Sequence, residues 1–191
     1  MADKKVIYIV VVLVVVAALA VLFSGITGLT VNVRIKGDAQ STQSYVASGI
    51  NVGNKAPEFS VATIDGKLAQ LSDLDKRDIP AFLYFTASWC PFCRQELLQL
   101  KSIYPEYQNK ILFLAVSIDP NDNEQILNNW KIQNGFPYEF AKGDINMLVT
   151  YDAKSLGTKY GIDKDATITF KEIRRGGMTA QDWRNALNSM L

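Results

Sequence analysis

An α/β fold is predicted for the larger part of this chain, and three observations predict it. Two short apolar runs rich in β-formers, 81–85 and 111–118, flank a stretch whose apolar residues recur at helical spacing. Two further extended runs, 158–162 and 167–173, are separated by the tight turn Asp163-Lys164-Asp165-Ala166. Thr179-Ala180-Gln181-Asp182 is a capping box that opens a last amphipathic helix. Strand, helix, strand in the first group is a right-handed crossover between parallel strands. The tight turn in the second requires an antiparallel pair, so the sheet is mixed.

The chain of 191 residues has 48% hydrophobic content, enough for one ordinary domain once the apolar N-terminus is set aside. From Val6 to Phe23 no charged or strongly polar side chain occurs, and residues 1–29 are read as a single transmembrane anchor. A helix of that apolar length covers roughly 27–36 Å, which matches the hydrocarbon core of a bilayer. A cleaved signal peptide is the alternative, with Ala18-Leu19-Ala20 as its cleavage site, but apolar Val21-Leu22-Phe23 beyond the cut favours an uncleaved anchor. Lys4 and Lys5 ahead of the span keep the N-terminus in the cytoplasm, which places the rest of this single-pass chain on the extracytoplasmic side. Residues 30–52 are rich in Ser, Thr, Gln, Asn and Gly and form a flexible linker, reaching about 25–30 Å. The folded domain occupies 53–191.

Within that domain, runs 81–85 and 111–118 are apolar on both faces, as central strands covered on both sides must be. Leu97, Leu98, Leu100, Ile103 and Tyr104 give a helix over 95–107 that ends near Pro105. Glu124, Ile126, Leu127 and Trp130 give another, stopping at Asn134-Gly135, and a short third helix follows over 145–151. Trp183, Ala186, Leu187 and Met190 share one face of the final helix. Trp130 and Trp183 are assigned to the core.

Counting residues narrows the chemistry. Histidine is absent, which excludes Ser-His-Asp and Cys-His catalysis, His-ligated zinc and the haem attachment motif that ends in histidine. Twenty Lys and Arg against 19 Asp and Glu leave a net charge of +1, so no nucleic-acid partner is expected. The two cysteines, Cys90 and Cys93, exclude a four-thiolate metal site and a multi-disulfide scaffold within one chain. They lie in Trp89-Cys90-Pro91-Phe92-Cys93, where a strand ends and a helix begins. Pro91 suits a first helical turn, which puts Cys90 at the N-cap beside unpaired amide groups that stabilise a thiolate. Cys90 is thus the attacking, exposed sulfur. Cys93, one turn inward, is placed to attack the mixed disulfide at Cys90 and displace the reduced substrate.

Other readings of these residues remain open at this level: a static disulfide or chance pair of core cysteines, or a two-thiolate clip for a soft metal. Glu96, three residues beyond Cys93, is either a proton relay for that thiol or an ordinary glutamate favoured by the helix dipole. Trp89 is a shield over the disulfide or a packed aromatic.

The stretch from Gly53-Asn54-Lys55-Ala56-Pro57-Glu58-Phe59 through Leu71-Ser72-Asp73-Leu74 and Trp89-Cys90-Pro91-Phe92-Cys93-Arg94-Gln95-Glu96 to the C-terminus resembles the membrane-anchored thioredoxin-like proteins of the TlpA/ResA type, in the AhpC/TSA–Redoxin superfamily. The resemblance implies a thioredoxin-like fold: a central mixed β-sheet flanked by helices, with an N-terminal β-hairpin extension and a central insertion around 119–142. It implies Cys90 as nucleophile, Cys93 as resolving thiol and Glu96 as active-site acid, with Trp89, Pro91, Phe92 and Gly157 lining the site. A thiol–disulfide oxidoreductase follows, more a reductase than an oxidase, a monomer with no cofactor beyond its redox-active Cys90–Cys93 disulfide. It would exchange with protein thiols and disulfides, draw on a membrane or soluble electron donor, and meet the membrane through residues 6–29.

Two residues depart from the family pattern. Gly157 aligns where the family carries a cis-proline facing the cysteines, and a trans Leu156–Gly157 bond is expected there, since a non-proline cis bond costs about 2.5–4 kcal/mol. Tyr84 stands where thioredoxins bury an aspartate, which shifts the proton-relay role toward Glu96. Two other functions compete. A thiol peroxidase of the peroxiredoxin-related group would need a threonine at position 87 and a proline at 83, which here are Ala87 and Leu83. A copper chaperone using the Cys pair would normally add His or Met ligands, and neither occurs near the motif.

Overall fold

Successive side chains of a strand point to opposite faces, so a strand apolar at every position needs cover on both. The computed structural model, which describes residues 48–191 apart from Arg77 and Arg175, builds that arrangement around one buried strand. In chain order the elements are β1 (Ser60–Ala62), β2 (Leu68–Gln70), α1 (Leu71–Lys76), β3 (Ala81–Thr86), α2 (Pro91–Ile103), β4 (Leu112–Ser117), α3 (Glu124–Asn134), β5 (Glu139–Lys142), α4 (Ile145–Thr150), β6 (Thr158–Ile162), β7 (Ile168–Ile173) and α5 (Ala180–Asn188). The predicted anchor over 1–29, and the linker as far as residue 47, lie outside the described residues. Among the described residues no helix is long and apolar enough to cross a membrane. The Gly49 amide donates to the Lys55 carbonyl, so contacts with the domain begin ahead of Gly53.

The main sheet runs β5-β4-β3-β6-β7. β3 pairs in parallel with β4 and antiparallel with β6, and β6 pairs antiparallel with β7, giving the mixed sheet of a thioredoxin-like fold. Along β3, Phe82 and Tyr84 join Leu97, Leu100, Phe113 and Trp183 on the face covered by α2 and α5. Leu83 and Phe85 join Leu114, Val116, Tyr151 and Tyr160 on the other. Trp130 and Trp183 are both buried, as expected for core residues. Trp183 packs its ring within 5.3–5.9 Å of Phe82, Tyr84 and Phe113. Truncating a residue so placed costs about 3–5 kcal/mol.

The helix expected over 95–107 instead starts at Pro91 and ends at Ile103, where Tyr104–Glu106 tightens into a 3-10 turn around Pro105. Proline has no amide hydrogen for an α-helical bond, and the tighter turn accommodates it. The β1–β2 hairpin is present, with Ser60 opposite Gln70. α3 and β5 fill the expected insertion. β5 was not legible in the sequence: only Phe140 and Ala141 of its four residues are buried, too few for a period.

Candidate active site

Two of the site's elements leave the same end of the sheet. β3 ends at Thr86, the chain turns through Ala87-Ser88-Trp89, and α2 begins at Pro91. Cys90 is the N-cap in an extended conformation (φ −77°, ψ 108°), and its Sγ accepts the Cys93 amide at 3.1 Å. An amide aimed at this sulfur stabilises it as a thiolate. Cys90 and Cys93 are joined as a disulfide with Cα atoms 5.3 Å apart. The expectation of an exposed Cys90 needs correction. Cys90 is 2% exposed and Cys93 is fully buried, so the two differ in rank while α2 and its neighbours cover both.

What is exposed is the rim. Trp89 and Phe92 are 63% and 55% exposed, and Pro91 is exposed between them. The packed-aromatic reading of Trp89 therefore fails. Its indole N–H donates to the Asp119 carboxylate, and that bond, followed by the Asn121 amide, holds the Asp119 carboxyl below its ordinary value. Gly176 closes the rim on the far side, where an added Cβ would stand 3.1 Å from the Phe92 Cβ.

Behind Trp89, the buried Asp122 carboxylate accepts the Ser88 amide at 2.9 Å and the hydroxyls of Ser88 and Ser117. It thereby ties the loop before Cys90 to the end of β4. Nothing in the sequence separated Asp122 from the polar lead-in to α3.

Glu96 lies one turn beyond Cys93, on its buried face of α2, and is 1% exposed. Its carboxylate is therefore held by protein groups and not by solvent. Its carboxylate accepts the Tyr84 hydroxyl at 2.7 Å and the Met178 amide at 3.1 Å, and pairs with the Lys159 ammonium at 3.2 Å. The Trp183 indole donates to the Glu96 carbonyl at 2.9 Å. Burial first, and then the Glu96 charge, push the Tyr84 phenol well above its ordinary value, so it stays a protonated donor. Tyr84 is thus a partner of Glu96 as well as the replacement for an aspartate.

Gly157 opens onto β6 alongside the end of β3, its amide donating to the Phe85 carbonyl at 2.8 Å. Its φ of +80° suits glycine and lies outside the range of a proline ring, fixed near −65°. All described peptide bonds are trans, Leu156–Gly157 included. Leu156 shares the buried cluster that holds Cys90, Cys93 and Met178.

Residues 52–174 match the model of the AhpC/TSA family. The chain belongs to that family. Within it, the chain is a thioredoxin-like protein of the ResA/TlpA type. The thiol-disulfide oxidoreductase ResA of Geobacillus thermodenitrificans is 30% identical over 146 residues, covering 75% of this chain and 80% of that protein. The thioredoxin-like protein YneN of Bacillus subtilis is 28% identical over 152 residues, covering 77% and 85%. The crystal structure of a thiol:disulfide interchange protein, a thioredoxin family protein from Chlorobium tepidum, superposes with a TM-score of 0.62 at 19% identity, covering 71% of this chain and 94% of that one, which shows the shared fold.

In this AhpC/TSA protein the functional cluster extends past the residues read from the sequence. Lys159 carries no mark of belonging to it in the sequence, because a lysine in a hairpin strand ordinarily lies on the solvent face. Here it is wholly buried.

Proposed function

We propose that this thiol–disulfide oxidoreductase is a membrane-tethered reductase of protein disulfides, with its domain on the extracytoplasmic side. The observation that carries the reading is a Cys90–Cys93 disulfide at the first turn of α2, nearly covered, within a rim of exposed Trp89 and Phe92. An apolar rim around a recessed sulfur suits a partner polypeptide that brings its own disulfide to the opening.

In the reductive direction the reduced enzyme's Cys90 thiolate attacks one sulfur of the substrate disulfide. A Cys90–substrate bond forms, and the other substrate sulfur leaves as a thiolate that takes up a proton. Cys93 then loses its proton and attacks Cys90 Sγ, which releases the second substrate thiol and leaves the disulfide present in the structure. The substrate gains two electrons and two protons, and an external dithiol donor restores the enzyme. Glu96, buried on the face of α2 that carries Cys93, is the group assigned to receive the Cys93 proton.

The direction is tested by the reduction potential of the Cys90–Cys93 pair. Equilibration with glutathione or a reference dithiol is expected to give a value near that of thioredoxin, about −270 mV, and a value near −120 mV, that of a strong oxidant, would overturn the assignment.

The roles of the two sulfurs are tested by trapping. Cys93→Ser is expected to accumulate mixed disulfides with disulfide-bonded insulin or disulfide-bearing membrane proteins, while Cys90→Ser is not. Equal trapping by both would sink the assignment. Glu96→Gln is expected to shift the pH profile of thiol exchange, and an unchanged profile would leave Glu96 a structural role only.

A further inference from the structure

The Lys159 ammonium is the most enclosed charge among the described residues, with no exposed side-chain surface. Four oxygens surround it. Two are carboxylates, Glu96 on α2 and Glu172 on β7, each at 3.2 Å; two are backbone carbonyls, Gly157 at 3.0 Å and Arg174 at 3.1 Å. The Tyr84 ring lies 5.4 Å away on β3. An ammonium has three protons to donate, and a charge is retained in an interior only where its partners are this complete.

Two of those contacts fall on segments next to Leu156 and Met178, which share the buried cluster of Cys90 and Cys93. Gly157 precedes β6 beside the end of β3, and Arg174 precedes the Gly176 turn that abuts Phe92. A glycine at φ +80° has more freedom to lose than any other residue, and its two peptide groups are held separately, the amide by the Phe85 carbonyl and the carbonyl by Lys159. Removing Lys159 would release one of those holds and part of the Arg174 turn together.

We propose that Lys159 is a positioning residue for protein substrates: its ammonium fixes the Gly157 and Arg174 carbonyls, setting the two loops next to Leu156 and Met178, while Glu96 serves as the counter-charge that lets it be buried. This rests on the reading of the site as a thiol–disulfide exchange centre for proteins. It gives Glu96 a second task, separate from any proton transfer.

The test compares Glu96→Gln with Glu96→Gln/Lys159→Met in the full chain, so that removing the ammonium leaves no buried carboxylate of α2 unpaired. Amide hydrogen exchange at 156–158 and at Arg174, Gly176 and Gly177 is expected to accelerate roughly ten- to hundredfold in the double variant, the loss of a charge-assisted hydrogen bond. KM for insulin is expected to rise several-fold, while the rate with a small disulfide such as dithiobis-nitrobenzoate, too small to use the loops, stays at the level of Glu96→Gln. Unchanged exchange together with an unchanged KM would overturn the inference while leaving the oxidoreductase reading intact. If even the wild-type chain fails to reduce insulin, that reading falls, and exchange alone decides the role of Lys159. A measurement without variants applies as well: the Lys159 ammonium protons of the wild type should exchange slowly and show hydrogen-bond coupling to the Gly157 carbonyl carbon in NMR spectra, and rapid exchange without coupling would overturn the proposal.

Discussion

Two buried carboxylates brace the segments that carry the disulfide, and they are held by opposite means. Asp122, in the loop after β4, is satisfied by an amide and two serine hydroxyls and has no ion pair among the described residues. Glu96, in α2, is satisfied by an amide, a phenol and an ammonium. The comparison teaches how far each site tolerates change. A neutral donor that loses its acceptor loses one hydrogen bond, whereas a charge that loses its counter-charge in the interior keeps its full desolvation cost. The Asp122 side is therefore a clamp that weakens gradually. The Glu96 side fails abruptly unless both charges are removed together.

The largest expected effect follows directly. Lys159→Met alone should lower stability to urea unfolding by about 3–5 kcal/mol, and adding Glu96→Gln should restore most of it. A cost of the single variant below about 1 kcal/mol would remove the distinction between the two carboxylates. Next, Asp122→Ala should cost about 2–3 kcal/mol, since hydrogen bonds to a charged acceptor are the stronger kind, and should speed amide exchange at Ser88 and Trp89. An equal loss from Asp122→Asn would show that charge, and not bonding capacity, matters there.

Tyr84→Phe removes one neutral donor from Glu96 but leaves the ion pair, so a loss of about 1.5–2 kcal/mol is expected, smaller than either of these. The same phenol sets an alkaline limit. Burial raises Tyr84 well above its ordinary value, and raises Tyr104 and Tyr160 to about 12. Groups raised in the folded state contribute stability that is complete below their unfolded value of about 10 and is lost as pH climbs through the folded values. Unfolding free energy should therefore fall as pH rises above about 10, and the Tyr84 tyrosinate, read as the absorbance difference between the wild type and Tyr84→Phe, should appear only on unfolding.

The smallest effect belongs to the rim. Trp89→Phe deletes the largest cause of Asp119's lowered value, so the Asp119 titration followed by carboxyl-carbon NMR should move up toward the ordinary carboxylate range. The stability that this bond contributes is present above the unfolded Asp value and lost as pH falls through the folded one, so the wild type and the variant should converge in acid. Because both groups are exposed, thermal stability at neutral pH should barely change.

Local chemistry in this chain is legible without the fold. The Cys-Pro-Phe-Cys spacing, the proline that makes Cys90 an N-cap, the apolar runs of β3 and β4, and the capping box at Thr179 all depend on residues within a turn or two of each other. That is the range over which backbone geometry transmits information along a sequence. The burial of Glu96 was open in the sequence, since its position three residues past Cys93 suits either a buried or a solvated face. What tertiary structure alone decided is the identity of its partners. Tyr84, Lys159 and Met178 come from β3, β6 and the turn before α5, and the sheet order β4-β3-β6-β7 brings them together. A lysine in a hairpin strand carries no local sign of being interior, because its preference for solvent is overturned only when the opposing carboxylate arrives from 63 residues earlier in the chain. The covering of Cys90 has the same origin: exposure is a property of packed neighbours, and no spacing along the chain encodes it.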